Sequence, residues 1–268
     1  MKIKTLNKSE IPGLNTLPPL NWGFDYEQFL NEYIDEEYFH AFVLIHDDQI
    51  IGAGNAFMKD KIGWLANIIV SEPYRGKGLG FQMTKFLVDH LISIGCETQL
   101  LIATPLGASV YQKVGFRKIS EYHCFDSETA LNFPTTNSIK KLTDDDLEEV
   151  YKLDQEVNSE NRSHLIGKYY SDRLGYFNSK NELLGFYLPS FSRDLIISKD
   201  TKAGIELLKV KHSKIGLRTM LPVENKEGVE FLESAGLKKG EKLIRMFLEK
   251  DNNWFPNYIY SYGSGYCG

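Results

Sequence analysis

The feature that most constrains the fold is a stretch in which an apolar run leads into a glycine-rich turn. Ile68–Val70 is followed by the turn-forming segment Ser71–Tyr74 and then by Arg75–Gly80, which reads Arg-Gly-Lys-Gly-Leu-Gly. Behind the glycines, apolar residues recur at positions 83, 86, 87 and 91 with the spacing of a helix. The stretch therefore predicts a strand, a glycine-rich turn and a helix in succession.

This turn has the chemistry of an anion-binding site. The first backbone N–H groups of a helix have no partner within the helix, and the helix dipole favours an anion beside them. Gly76, Gly78 and Gly80 carry no Cβ, so a phosphate can approach the backbone closely, and Arg75 and Lys77 add positive charge. We predict a pyrophosphate cradle here. The alternative is a helix start whose glycines merely permit a tight turn.

The spacing of the glycines excludes two common nucleotide-binding loops. A P-loop requires a Gly-Lys-Ser/Thr sequence after four variable residues, and the stretch does not contain it. The dinucleotide fingerprint, begun at Gly76, requires a third glycine where Phe81 stands. The motif that remains is Arg-x-x-Gly-x-Gly, formed by Arg75, Gly78 and Gly80.

A second informative stretch follows the predicted helix. Gln99–Ala103 has the composition of a buried strand, Thr104–Gly107 interrupts it, and Ala108–Val114 is a short helical segment that ends at Gly115-Phe116. Tyr111 lies four residues before that glycine.

Together, the two stretches resemble the two signatures of the GNAT superfamily of N-acetyltransferases. The resemblance covers residues 1–132, which would form an acetyl-CoA-binding catalytic domain. It implies that acetyl-CoA is the acyl donor and that Tyr111 is the general acid that protonates the departing thiolate. It also implies that the strand before the loop parts from its neighbour at a bulge, where its free backbone groups contact the pantetheine arm and the acetyl carbonyl. The coenzyme-binding residues implied by the resemblance are Ile68, Ile69, Val70, Arg75, Gly76, Lys77, Gly78, Leu79 and Gly80.

For Tyr111 a second interpretation stays open, in which this helix residue only packs against its neighbours. An unperturbed tyrosine is protonated at neutral pH, so donation of its proton is chemically plausible.

The second half of the chain repeats the scaffold of the first. Gly216, Asn225 and Gly236 each lie 121 positions after a matching residue, respectively Gly95, Thr104 and Gly115. Applied to the predicted site, the same offset places Ile196, Lys199, Thr201 and Leu232 at the positions of Arg75, Gly78, Gly80 and Tyr111.

The repeat predicts a degenerate GNAT-like domain over residues 138–250, without a coenzyme site of its own. This pattern resembles tandem GNAT proteins with one degenerate half. The predicted fold class is α/β (α+β), with two GNAT-like domains that each have a mixed, mostly antiparallel central sheet flanked by helices. Residues 251–268 form an aromatic C-terminal tail, which we expect to pack on a domain surface or, alternatively, to line the acceptor pocket.

The sequence does not identify the general base. Asn67, on the strand before the loop, cannot take up a proton but can orient a water molecule. Further candidates lie in and after a helix predicted over Asp25–Phe39, although a solvated helix face explains most of them. These candidates are Asp25, Glu27, Asp35, Glu36 and His40. Glu72 is expected to face solvent, and His123 is expected to be packed or exposed.

Composition narrows the remaining classes. The chain has 268 residues, and a net charge of −5 argues against nucleic acid as a partner. Cys96, Cys124 and Cys267 form neither a disulfide framework nor a metal-binding spacing, so no metal is expected. Residues 1–10 do not resemble a signal peptide and no apolar run reaches membrane-spanning length, so we expect a cytoplasmic protein without a membrane partner.

The sequence therefore predicts an acetyl-CoA-dependent N-acetyltransferase that acts on a primary amine bound between the two halves. The acceptor could be a small molecule, an amino acid, a peptide or a protein lysine, and the protein a monomer or a homodimer. The alternative is a non-catalytic acyl-CoA-binding or protein-interaction module that has kept the cradle.

Overall fold

The computed structural model describes residues 1–134 and 136–267, with only the backbone of Asn21. The chain divides into two compact units. The first unit consists of Met1–Lys118 and Met246–Asp251, and the second of Ile119–Arg245 and Asn252–Gly268. No helix in the described residues is long and apolar enough to cross a membrane.

The first unit contains the following strands and helices in chain order. They are β1 (Lys2–Thr5), α1 (Tyr26–Tyr33), β2 (Phe39–His46), β3 (Gln49–Lys59), β4 (Ile62–Val70), α2 (Leu79–Ser93), β5 (Thr98–Ala103) and α3 (Pro105–Val114). Strand β6 (Arg117–Asp126) begins at the end of this unit and continues into the second. The second unit adds β7 (Ile139–Lys141), α4 (Leu147–Asn158), α5 (Ser163–Lys168), β8 (Leu174–Phe177), β9 (Leu183–Leu188), β10 (Leu195–Ser198), α6 (Thr201–His212), β11 (Arg218–Pro222), α7 (Lys226–Ser234), β12 (Lys238–Glu249) and β13 (Ile259–Ser261).

The sheet of the first unit runs in the order β1-β2-β3-β4-β5-β12, and β12 contributes to this unit only its end, from Met246. Strands β1 to β4 pair antiparallel, whereas β4 and β5 are parallel. Helix α2 lies close to this sheet because glycines face it: a Cβ added to Gly54 would come within 2.7 Å of Met83, and one added to Gly63 within 2.9 Å of Leu91. These glycines place α2 directly behind the strand that leads into it.

The helix predicted over Asp25–Phe39 is wrong in its second part. Helix α1 ends at Tyr33, and β2 begins at Phe39. The residues after Tyr33 include a run of three carboxylates, Asp35 to Glu37. Negative charge is unfavourable at the carboxyl end of a helix dipole, which accounts for the early end of α1.

The second unit contains a sheet in the order β13-β10-β9-β8-β7, with all described pairs antiparallel. The C-terminal tail joins it through β13, and most of the tail's aromatic side chains are buried, among them Trp254, Tyr260, Tyr262 and Tyr266. The tail is therefore part of the second unit and its sheet. The mixed α/β architecture with two sheets is the predicted fold class.

The predicted domains are continuous segments of the chain, with the bounds 1–132, 138–250 and 251–268. Each of the two compact units, in contrast, also includes a short segment that is distant in sequence. The end of β12 belongs to the first unit and most of β6 to the second. Such an exchange leaves no sign in local sequence patterns. The sequence-based boundaries stay predictions.

The local geometry of the repeat recurs at the predicted offset. Thr104 caps α3 by accepting a hydrogen bond from the N–H of Gly107, and Asn225 caps α7 in the same way through Gly228, 121 positions later in each case. A glycine of positive φ follows each helix, with φ of 116° at Gly115 after α3 and 85° at Gly236 after α7. The two halves therefore share the same strand–cap–helix–glycine unit.

Because the side chain of His212 is buried, we expect the protein to lose stability at mildly acidic pH. His212 is fully buried, with Nε2 2.8 Å from Thr219 Oγ1, and burial is the main cause that lowers its pKa from 6.5 to about 4. The unfolded chain therefore binds more protons than the folded chain. The contribution of His212 to stability is complete above pH 6.5 and is lost as the pH falls through 6.5 towards 4, a change on the order of 3 kcal/mol.

Urea unfolding followed between about pH 7.5 and pH 4.5 tests this expectation. The midpoint should fall across the window, and His212→Gln should make the fall shallower. Carboxylates affect the pH dependence of stability at lower pH. A hydrogen bond from Lys61 is the main cause that lowers the pKa of Glu97 to about 2. The stability that Glu97 contributes therefore begins to be lost only near the ordinary pKa value of 4.5. Equal pH dependence in the wild type and His212→Gln would contradict the assignment.

Candidate functional site

Strand β4 contains the β-bulge that the resemblance implied. The register of β3 against β4 shifts between Ala53 and Asn55, which leaves Asn67 and Ile68 opposite a single residue of β3. Asn67 adopts the left-handed conformation with φ of 50°. Its Nδ2 atom is buried and has no hydrogen-bond partner among the described residues.

Strands β4 and β5 part near this bulge. Their parallel pairing runs from Ile62 opposite Thr98 to Trp64 opposite Leu100, and no later pair is found in the described residues. Strand β4 nevertheless continues to Val70. The backbone of β4 beyond Trp64 is therefore open on the side of β5, as expected for a strand that receives an extended ligand arm.

The three β4 residues that are predicted to bind the coenzyme differ in the exposure of their side chains. The side chain of Ile69 is buried, whereas Ile68 and Val70 are half-buried. Only backbone groups are available at Ile69. This agrees with the predicted role of the three residues, which depends on their N–H and C=O groups.

The loop between β4 and α2 is largely exposed. Gly76 and Gly78 have φ of 76° and 77°, a region that L side chains rarely adopt. A Cβ added at Gly76, Gly78 or Gly80 would meet no atom within 4 Å. The glycines therefore serve the backbone conformation and the free space above it rather than internal packing.

Helix α2 begins without a side-chain cap. Its N-cap residue is Gly78, and the bond from Gln82 N–H to Gly78 C=O opens the helical ladder. The N–H groups of the first helical residues, including Leu79 and Gly80, have no acceptor within the helix, because Gln82 is the first residue that donates within it. Because the side chain of Leu79 is 2% exposed, its part in any ligand contact is limited to the backbone.

The two basic residues of the loop have different roles. Arg75 Nε donates a hydrogen bond of 2.9 Å to the carbonyl of Val70, which fixes the loop to the end of β4. Lys77 is exposed, with Nζ 5.1 Å from the ring centroid of Tyr74, and that ring lies 5.7 Å from the ring of His46. Lys77 therefore places an exposed positive charge at the loop, whereas Arg75 is partly a structural residue.

Tyr111 lies in the middle of α3, which begins at Thr104 and Pro105. Its ring makes an edge contact with Phe116, 6.2 Å between centroids, and its carbonyl accepts the N–H of Phe116 at 3.0 Å. Among the described residues, the Tyr111 hydroxyl makes no hydrogen bond. The ring is thus held by packing while its hydroxyl remains available.

Burial raises the pKa of Tyr111 to about 12. The phenol is therefore protonated at neutral pH but is a weaker acid than an exposed tyrosine.

Two of the candidate bases belong to the local backbone structure. Asp25 caps α1 by accepting the N–H of Gln28 at 2.9 Å, the main cause that lowers the pKa of Asp25. Glu27 accepts the N–H groups of Gly13 and Asn15, at 2.9 and 3.2 Å. Both carboxylates stabilise the segment before α1.

The other candidates are placed as follows. Asp35 is exposed and pairs with Lys8, and Glu36 lies in the turn between α1 and β2. His40 packs on His90 of α2, 4.9 Å between ring centroids, and burial followed by the charge of His90 lowers the pKa of His40.

Glu72 is exposed, as expected. His123 is half-buried on β6 in the second unit, with its pKa lowered mainly by burial. Among the described residues, no group of three or more His, Cys, Asp or Glu side chains is placed to hold a metal ion.

In the second half, helix α6 lies at the position that matches α2, but it begins differently. Only Lys199 and Asp200 separate β10 from α6, and the Asp200 carboxylate accepts the N–H of Ala203 at 2.8 Å. Lys199 pairs with Glu156 at 2.9 Å. A carboxylate thus occupies the end of α6 that an anion would otherwise approach, whereas α2 begins at a glycine.

Sequence reasoning treated Asn67 as a candidate for orienting water and missed its conformation. One signal was present, because asparagine is depleted in strands and here interrupts an apolar one. The shift in register that creates the bulge depends on pairing with β3 and has no local sequence sign.

Comparison with known proteins agrees with this geometry. Residues 12–116 match the model of the acetyltransferase (GNAT) family. YobR of Bacillus subtilis, described as an uncharacterized N-acetyltransferase, is 33% identical over 85 residues, which are 31% of this chain and 34% of YobR. The matched part spans about a third of the length of the curated relatives.

Two solved structures share the fold over nearly the whole chain. A candidate acetyltransferase from Pyrococcus horikoshii has a TM-score of 0.82 and 16% identity, over 100% of this chain and 95% of that chain. A tandem GNAT protein from the clavulanic acid biosynthesis pathway has a TM-score of 0.63 and 11% identity, over 92% of this chain and 98% of that chain. The first half of the chain is therefore similar to the GNAT family over residues 12–116, and the chain as a whole shares the fold of a tandem GNAT protein.

Proposed function

We propose that this chain is an acetyl-CoA-dependent N-acetyltransferase whose donor site lies in the first unit. One observation carries the proposal: an uncapped helix start with open glycines stands directly after a strand that has parted from its neighbour. The uncapped start of α2 suits the pyrophosphate. The open edge of β4 suits an extended arm that carries amide groups and ends in a thioester.

The residues at this site fit the coenzyme. A Cβ at any of the three loop glycines would occupy free space, which is the space a phosphate needs. Lys77 and the dipole of α2 supply positive charge. Backbone groups of Ile68, Ile69 and Val70 are proposed to hold the arm, and Arg75 is proposed to fix the loop through its bond to Val70.

The reaction requires one bond to form and one to break. The lone pair of a neutral primary amine attacks the thioester carbonyl carbon and forms the new C–N bond. The C–S bond then breaks, and its electron pair leaves with sulfur. The amine loses a proton to water or to a base that we do not assign. Tyr111 is proposed to give its phenolic proton to the thiolate and to regain one from solvent.

The second half is proposed to have no coenzyme site. The carboxylate of Asp200 already accepts a hydrogen bond from the start of α6, and a phosphate there would meet a like charge. Leu232, at the position of Tyr111, is fully buried and has no hydroxyl. The sequence-based prediction that the amine acceptor binds between the two halves stays a prediction.

Thiol release from acetyl-CoA across a panel of amines tests the function. The panel should contain small amines, amino acids, and peptides with free α-amino groups or lysines, and mass spectrometry should detect an added acetyl group on the amine. We expect at least one amine to raise thiol release well above hydrolysis. Binding of coenzyme A without transfer to any amine would instead favour a non-catalytic acyl-CoA-binding module.

A further inference from the structure

The backbone conformation at Asn67 does not require an asparagine side chain. The first residue of its bulge sits at φ of 50°, a region that glycine adopts without strain and that other residues adopt at a cost of about 1–3 kcal/mol, less for asparagine. Glycine would satisfy the backbone at this point. The side chain of Asn67 must therefore be explained by something other than the bulge.

The side-chain amide of Asn67 has an unmet requirement. Its Nδ2 atom is buried without a hydrogen-bond partner among the described residues. A buried donor left without an acceptor costs about 1–3 kcal/mol. An acceptor oxygen brought to this point by a ligand would recover that free energy.

The position of Asn67 along β4 indicates which oxygen this is. Pairing with β5 stops at Trp64, and the loop that is proposed to hold the pyrophosphate begins after Val70. An arm that starts at the loop and follows β4 inwards passes Val70, Ile69 and Ile68 before it reaches Asn67, about 10 Å from Val70 at the rise of a strand. The thioester is at the far end of that arm.

We infer that the Asn67 side-chain amide donates a hydrogen bond to the acetyl carbonyl oxygen of the bound thioester. A donor suits that oxygen, which gains negative charge when the amine attacks. It does not suit the amine, because a hydrogen bond to the lone pair would oppose the attack. The inference rests on the proposed function and adds to it a side-chain donor next to the backbone of β4.

Asn67→Gly is the sharpest variant, because it removes the amide and relieves the left-handed backbone. The variant should unfold at a temperature no lower than that of the wild type. Asn181→Gly is the matched control, since Asn181 also has a positive φ, of 63°, and lies in a turn of the second unit. It makes the same chemical change away from the proposed site.

Infrared spectra of acetyl-CoA labelled with carbon-13 at the carbonyl report the hydrogen bond without turnover. In the wild type and Asn181→Gly, the bound thioester band should lie at lower wavenumber than the band of free acetyl-CoA. In Asn67→Gly it should move back towards the free position. Removal of one such donor is expected to lower turnover by about 10²–10³-fold, while affinity for coenzyme A, which has no acetyl carbonyl, stays within about threefold.

An unchanged band and unchanged turnover in Asn67→Gly would overturn the inference and leave the donor site intact. Loss of coenzyme A binding in this variant would overturn it as well, because Asn67 would then serve the whole ligand. If the wild type binds neither acetyl-CoA nor coenzyme A, the proposed function itself fails.

Discussion

Gly78→Glu is expected to weaken coenzyme A binding at least about 100-fold while the protein stays folded. Gly78 is the N-cap residue of α2, its φ is 77°, and a Cβ there would point into empty space. A glutamate would place its carboxylate where the proposed pyrophosphate must lie. Like charges repel there, and the carboxylate would also compete for the free N–H groups of the helix.

Gly95→Glu is the matched control for this change. Gly95 follows α2, has φ of 94°, and also has no atom within 4 Å of an added Cβ. Both substitutions introduce the same charge and similar backbone strain, so their effects on unfolding temperature should be similar. Titration calorimetry should detect coenzyme A binding to Gly95→Glu and not to Gly78→Glu. Equal affinities in the two variants would remove the loop from the coenzyme site.

Tyr111→Phe is expected to lower turnover by about 10²–10⁴-fold, the usual contribution of general acid–base catalysis. The ring contact with Phe116 is retained, and the hydroxyl that is lost makes no hydrogen bond among the described residues. The unfolding temperature and the affinity for coenzyme A should therefore change little. The measurement is single-turnover acetyl transfer, in which the chemical step is observed directly.

Tyr262→Phe provides the control for loss of a buried phenol. Burial is also the main cause that raises the pKa of Tyr262, which belongs to the second unit. This variant should transfer acetyl groups at nearly the wild-type rate. If Tyr111→Phe behaves in the same way, Tyr111 is a packing residue, and the donor site, which depends on backbone groups, is unaffected.

Much of the local geometry at the proposed donor site could be predicted from the sequence because its parts are local. The glycines at positions 76 and 78 act through the backbone of their own segment, and their spacing is visible directly. The repeat was visible for the same reason. A constant offset of 121 positions related Thr104 to Asn225 and Gly115 to Gly236, and the structure has a helix cap at the first pair and a glycine of positive φ at the second.

The remaining features do not follow from the spacing of residues within one segment. The bulge at Asn67 arises from the register between β3 and β4. The assignment of Met246–Asp251 to the first unit reflects contacts that no local pattern records. The early end of α1 shows that the spacing of apolar residues alone does not fix where a helix ends. The apolar face of the helix gives no sign that the carboxylates after Tyr33 end it.

Titration of the whole chain with acetyl-CoA tests the central claim, that a single cradle in the first unit holds the acyl donor. We predict one site per chain in the wild type, the same site in Asp200→Gly, and affinity at least about 100-fold lower in Gly78→Glu. Asp200→Gly removes the carboxylate that caps α6 but does not create a glycine loop, so it should add no second site. Two sites per chain, or wild-type affinity in Gly78→Glu, would contradict this claim.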